Sequence, residues 1–195
     1  RCTTKLIQID KIELLNKAYD TFESKDFSIS KEYWSELILL DSSNSEFFSR
    51  RGYCYQQIGL IKESLSDCNN AIILEPNRYF YYDNRAEVYY KSKKWDDAYE
   101  DLSRSIELNP LRSGKTINNR GVVLIKLNHE IEACEDFEEA MKLKYLDGKL
   151  NYEMLCGENA ISNNYPVNKK ATEGYRQWWN NHFDKLEKQR GEAIE

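Results

Sequence analysis

A leucine returns at one place in a repeating frame, at Leu40, Leu74, Leu108 and Leu143, in steps of 34, 34 and 35. This period constrains the fold more than any other feature. A unit of that length is one helix pair that cannot bury its apolar face alone and must stack on its neighbours. The expectation is an all-α fold, an α-solenoid of four helix-turn-helix repeats. A small residue repeats in the same steps at Ala18, Gly52, Ala86 and Gly121, where two helices of a hairpin approach so closely that a β-carbon or less is all that fits. Phe27, Ile61, Trp95 and Glu130 stand thirteen residues before each leucine and open the second helix. Its buried stripe then runs through Trp34, Leu37 and Ile38, through Cys68, Ala71 and Ile72, through Leu102, Ser105 and Ile106, and through Phe137, Ala140 and Met141. That is helical spacing on one face. Pro76 and Pro110 each follow a last helical turn and stop it, because proline lacks the amide donor and clashes with the preceding turn.

These residues resemble the tetratricopeptide repeats, whose pattern has a small residue at position eight, an aromatic at eleven, alanines near twenty and twenty-seven, and proline at thirty-two. Residues 79–112 match best, through Ala86, Tyr89, Ala98 and Pro110. Residues 45–78 offer Gly52, Tyr55, Ala71 and Pro76, with Ser64 in place of one alanine. Residues 114–147 keep Gly121, Ala133 and Ala140 but have Leu124 for the aromatic and Tyr145 for the proline. Residues 11–44 are degenerate, with Ala18 kept and Thr21, Ser30 and Ser42 at the other places. Residues 1–10 read as an N-terminal extension and 148–195 as a non-repeat helical cap. The tripeptides Asn84-Arg85-Ala86 and Asn119-Arg120-Gly121 resemble the Asn-Arg-Gly form frequent in bacterial and organellar members of the family.

Composition suits such an array. The 195 residues include only eight glycines and three prolines, and 31% are charged. No run approaches the apolar length of a membrane span, and no signal peptide is visible at Arg1. The lack of an initiator methionine favours a processed, imported or trimmed form. Cys2, Cys54, Cys68, Cys134 and Cys156 are odd in number and have no Cys-x-x-Cys spacing. They read as reduced thiols in an intracellular reducing compartment, cytoplasm or an organelle interior such as plastid stroma or mitochondrial matrix, with Cys54 and Cys68 as small buried hydrophobes.

Toward the C-terminus the frame is lost. Lys149 to Asn163 reads as a helix, and Lys169 to Arg190 as a longer one carrying Trp178, Trp179 and Phe183 on its apolar face. The pair covers the exposed end of the fourth unit. Trp178, Trp179 and Phe183 also offer a second interface, since tryptophan is enriched among binding hot spots.

The resemblance implies that the first helices line a concave groove for a protein partner. Its expected contacts are apolar at Tyr19, Tyr53, Phe80 and Tyr90, and polar at Gln57, Asn84, Asn118 and Asn119, whose amides offer a peptide main chain both donors and acceptors. Arg50, Glu87, Lys115 and Lys126 supply charge matching. Family members that bind acidic chaperone tails use a five-residue carboxylate clamp. Here Asn84 and Lys115 match it, whereas Ser49, Tyr53 and Asn119 do not, so the bidentate arginine grip is missing.

Other classes fit poorly. With 28 basic and 33 acidic residues and a formal net charge of −5, the chain lacks the positive field that nucleic-acid binding demands. His129 and His182 are far apart in sequence, and no phosphate loop, nucleophile elbow or zinc motif is present. No catalytic residues, metal or cofactor are expected, and membrane contact would run only through a partner. The expected role is a noncatalytic protein-binding adaptor or assembly factor. The alternative is a permanent subunit of a larger complex, organellar membrane complexes included, docked through the terminal Trp helix.

Overall fold

The computed structural model describes residues 2–109, 111 and 113–156. Among them the chain forms nine α-helices: α1 (Cys2–Glu23), α2 (Phe27–Leu40), α3 (Ser45–Gln57), α4 (Ile61–Leu74), α5 (Tyr79–Lys91), α6 (Trp95–Leu108), α7 (Gly114–Leu127), α8 (Glu130–Lys142) and α9 (Leu146–Leu155). Each packs on its sequence neighbours. α3 also touches α5 and α7 touches α9, so the odd-numbered helices form an inner row. Phe27, Ile61, Trp95 and Glu130 are the first residues of α2, α4, α6 and α8, as the frame predicts. Asp26, Asn44 and Ser113 cap α2, α3 and α7 by accepting a backbone amide of the first turn. Pro110 lies outside the described residues.

The turn inside every unit is built alike. Lys25, Gly59, Lys93 and Asn128 occupy equivalent places and all have positive φ, between 60° and 80°. The next residue's amide then bonds back five residues, Asp26 to Thr21, Leu60 to Tyr55, Lys94 to Tyr89 and His129 to Leu124, which satisfies carbonyls the ended helix leaves open. Where the fourth unit lacks its proline, Lys144 (φ 62°) repeats the device and Tyr145 bonds to Ala140. Left-handed backbone strains a residue with a β-carbon but not glycine. Lys93→Gly should therefore raise stability by about 1 kcal/mol, read as a higher urea midpoint with unchanged slope.

The stripes pack as the spacing requires. Trp34, Leu37, Cys68, Ala71, Leu102, Phe137 and Ala140 are buried, and a β-carbon built on Gly121 would lie 2.7 Å from the Phe137 ring. Ser30 and Ser64, which stand where the repeat has alanine, are fully buried and donate to the carbonyls of Ala18 (3.1 Å) and Gly52 (2.7 Å). Trp34 Nε1 in turn donates to Ser30 Oγ at 2.9 Å. A buried hydroxyl is thus tied to its own hairpin rather than left as a cost.

A second periodic set holds the hairpins on their outer flank. Arg51, Arg85 and Arg120 each grip a carboxylate of the following helix, Asp67, Asp101 and Asp136, through Nε and Nη2 at 2.7–2.9 Å. The remaining nitrogen, Nη1, reaches back to the preceding unit, donating to Ser35, Asn69 and Ser103. Burial pushes the Asp101 carboxyl up and the Arg85 fork pulls it back, while Asp101 holds Arg85 more firmly protonated. The first unit has Lys17 and Tyr33 at these places, and Lys17 pairs with Glu13 instead.

Two readings of the sequence gain detail and one needs correction. Residues 2–10 belong to α1, which runs unbroken to Glu23. The helix expected from Lys149 to Asn163 begins earlier, as α9, Leu146–Leu155, and packs on α8 and α7 across the end of the fourth unit. Gly148 permits this, since a β-carbon there would meet Ala140 Cβ at 2.5 Å. Finally, Cys134 on α8 and Cys156 at the end of α9 form a disulfide, with Cα atoms 5.7 Å apart. The odd cysteine count hid that pair, and the reading of the cysteines as reduced thiols does not hold for these two. Cys54 and Cys68 are buried free thiols, as read, and burial pushes them up to about 11 and about 12. The proposed second interface, Trp178, Trp179 and Phe183, and the rest of the cap from residue 157 lie outside the described residues.

Candidate functional site

The inner row presents two unlike stretches. At the N-terminal end aromatic rings fill the surface. Tyr19 meets Trp34 edge-on at 5.1 Å, and Tyr53 packs against Phe22 (5.3 Å) and Phe27 (5.8 Å). Arg50 lies over the Tyr19 and Phe22 rings and shares Glu46 with the Tyr19 hydroxyl. Burial pushes both tyrosine hydroxyls up, and Tyr19 donates to Glu46. Gln57, the last residue of α3, is exposed at the edge of this stretch.

Further along, α5, α7 and α9 enclose a cavity of about 570 Å³. Phe80, Asn84, Glu87 and Tyr90 reach it from α5, and Lys115, Asn118 and Asn119 from α7. The floor is apolar, made by Ala86, Leu102, Val122 and Val123. The polar groups above it are held in place by neighbours. Asn84 Nδ2 donates to Ser49 Oγ (3.1 Å), and Asn151 Nδ2 on α9 donates to the buried Asn118 Oδ1 (2.7 Å). Thr116 Oγ1 donates to Asp83 Oδ2 (3.1 Å), while Asp83 Oδ1 and Ser105 Oγ are both buried with no hydrogen-bond partner. Burial pushes the Asp83 carboxyl up. Ser105 and Thr116 temper the rise, Ser105 from close by without completing a bond to Oδ1. Asn119 and Lys115 are exposed on the rim, and Lys126 is half-buried near the end of α7.

Of the residues picked from sequence, seven line this cavity: Phe80, Asn84, Glu87, Tyr90, Lys115, Asn118 and Asn119. Tyr19, Arg50 and Tyr53 belong to the aromatic stretch. The wall at α9 was missed: Tyr145 and Asp147 fall at the end of the fourth unit and Leu150 and Asn151 in the expected cap, neither of which was assigned to the groove. The interval of 33 from Asn118 to Asn151 was the available signal. Among the described residues no three histidines, cysteines or carboxylates gather into a metal-binding group, and no helix is long and apolar enough to cross a membrane.

Comparison with known proteins agrees with this architecture. A family model for the tetratricopeptide repeat matches residues 79–112. Tetratricopeptide repeat protein 13 of Homo sapiens is 34% identical over 116 residues, covering 56% of this chain and 13% of the relative. The DnaJ homolog subfamily C member 7 homolog of Dictyostelium discoideum is 25% identical over 120 residues, 60% of this chain and 22% of the relative. Hsp70-Hsp90 organizing protein 2 of Arabidopsis thaliana is 26% identical over 94 residues, 48% of this chain and 16% of the relative. The chain thus matches under a quarter of the length of each of these relatives. Among solved structures, MamA superposes with a TM-score of 0.68 at 17% identity, covering 94% of both chains. The first repeat domain of Spaghetti (RPAP3), bound to the HSP90 peptide SRMEEVD, superposes with a TM-score of 0.57 at 20% identity, covering 60% of this chain and 93% of that one. With one unit matched by the family model and its helix pair repeated in phase along the array, this chain is a tetratricopeptide-repeat protein.

Proposed function

We propose that the chain is a noncatalytic module that holds an extended segment or a helix of a partner protein along its concave row, as an adaptor or assembly factor. The observation that carries this reading is the cavity between α5, α7 and α9, an apolar floor with fixed amide and hydroxyl groups above it. Such a surface suits a peptide, whose main chain needs donors and acceptors at set intervals while its side chains need apolar cover. The aromatic stretch at Tyr19 and Tyr53 extends the same row and would seat a further part of the segment. The repeat domain of Spaghetti (RPAP3) holds a peptide, which supports a peptide here, but the acidic sequence of that peptide does not carry over. Ser49, Tyr53 and Asn119 replace the clamp groups, and Ser49 is buried beneath Asn84.

Lys115→Ala with Asn119→Ala tests the reading, since both side chains are exposed and neither holds the fold. Proteins recovered with the chain from its source should be cross-linked to α5 and α7. The double variant should lose them by about tenfold in affinity while keeping its helical circular dichroism. Retention of the same partners by the variant, with cross-links elsewhere, would remove the groove from the account.

A further inference from the structure

Resting on that groove reading, we infer that the Cys134–Cys156 disulfide is a redox control on the groove. Oxidised, it holds α9 as a wall against the bound segment, and reduced, it lets that wall swing off and the segment leave. α8 and α9 run antiparallel and are pinned at both ends. Where they join, Gly148 lets α9 come so near that a β-carbon there would meet Ala140 Cβ at 2.5 Å. At the open end the disulfide ties Cys134, in the second turn of α8, to Cys156, the residue just past α9. Close packing is permanent, whereas a bond between sulfurs can be opened chemically. Leu150 and Asn151 stand between the two pins and face the cavity, and Asn151 Nδ2 fixes Asn118 Oδ1 at 2.7 Å. Once the bond is open, the far end of α9 rests on Tyr152 and Leu155, both only partly buried on the cluster around Val122 and Phe137. A helix of ten residues adds little stability of its own.

The chemistry can be confined to this pair. Cys134 and Cys156 are half-buried, so a dithiol reductant reaches them. Its thiolate attacks one sulfur, and the Sγ–Sγ bond breaks as a mixed disulfide forms. Its second thiol then closes on the mixed bond, leaving the reductant as a disulfide and Cys134 and Cys156 as thiols that carry the two electrons and two protons it gave up. Cys54 and Cys68 stay out of the exchange, because burial pushes them up to about 11 and about 12 and only a thiolate attacks a disulfide. Binding and reduction are reciprocal. A segment that prefers the oxidised wall about tenfold makes the bond harder to reduce by about 30 mV when it saturates the groove.

The test uses the full chain and, as probe, short peptides selected on the oxidised chain from a displayed random library and kept when they shift amide signals of α5 and α7. Their affinity should fall about tenfold when a dithiol reduces the pair. Cys134→Ala with Cys156→Ala should bind as weakly and take no notice of the dithiol. The side-chain amide signals of Asn118 and Asn151 should move on reduction, while that of Asn84, held by Ser49, stays. Equal affinity for the oxidised and reduced chains, or a dithiol effect that persists in the double variant, overturns the switch and leaves the groove standing. Failure of every selected peptide to shift α5 and α7 overturns the groove reading and the switch with it.

Discussion

Replacing Arg85 by methionine should cost the protein about 3–5 kcal/mol and lower its thermal midpoint by about 10 °C. The loss comes from what remains rather than from what is removed. Asp101 is nearly inaccessible and takes both of its strong hydrogen bonds from the Arg85 fork, at 2.7 Å each. Without the fork it must stay charged in a poorly solvated site or take up a proton. Asp101→Leu added to Arg85→Met should recover most of the loss, because an apolar pair of similar bulk has no charge to desolvate. Thermal melts of the single and double variants decide the matter. If the single variant melts within about 2 °C of the parent, the pair is ornamental to stability.

Reducing the Cys134–Cys156 bond, or replacing Cys156 by serine, should loosen α9 and spare the rest. The bond closes a loop with a sequence separation of 22, and chain entropy assigns such a closure about 3 kcal/mol. Besides this bond, Tyr152 and Leu155 pack α9, only partly buried, on the cluster around Val122 and Phe137. α9 is ten residues long, too short for an independent helix, and Leu146 and Leu150 stay exposed at 67% and 44% while Gly148 and Asn151 are buried. Amide exchange in α9 should quicken by about a hundredfold, with α5 and α6 unchanged. Unchanged protection of α9 after reduction would show that Asn151, Tyr152 and Leu155 hold the helix without help. The consequence reaches the binding row, because α9 is one wall of the cavity and Asn151 fixes the Asn118 amide.

Helix starts and core stripes were legible because they are local consequences of spacing. Trp95 opens α6 and Leu102 and Ser105 turn inward for the same reason that their counterparts do in every unit. Hydrophobic periodicity says nothing, however, about polar groups that a fold buries deliberately. Arg51, Arg85 and Arg120 share the 34-residue frame with Asp67, Asp101 and Asp136, yet the triplets around the arginines read only as a family resemblance. Charge at a helix surface usually means solvation, and only the hairpin's closure shows that each pair is enclosed. Ser30 and Ser64 misled in the same way, as lapses from alanine rather than as donors to the opposite helix. The α9 wall was lost for a third reason. Gly148 and Tyr145 break the expected residue types while keeping the backbone path, and a pattern of residue types cannot see a path. The groove residues on α5 and α7 followed directly from helix phase, but which of their amides are already occupied depends on neighbours 33 to 35 residues away.

The backward-reaching nitrogen of each arginine fork has a mechanical consequence. Through Ser35, Asn69 and Ser103 it laces every hairpin to the one before, so opening one unit also removes a tie from its predecessor. A chain laced this way resists rupture in its middle and peels from whichever end lacks the lace. Lys17, turned aside to Glu13, leaves α1 without this lace. Pulled apart, the array should part outside its laced middle first.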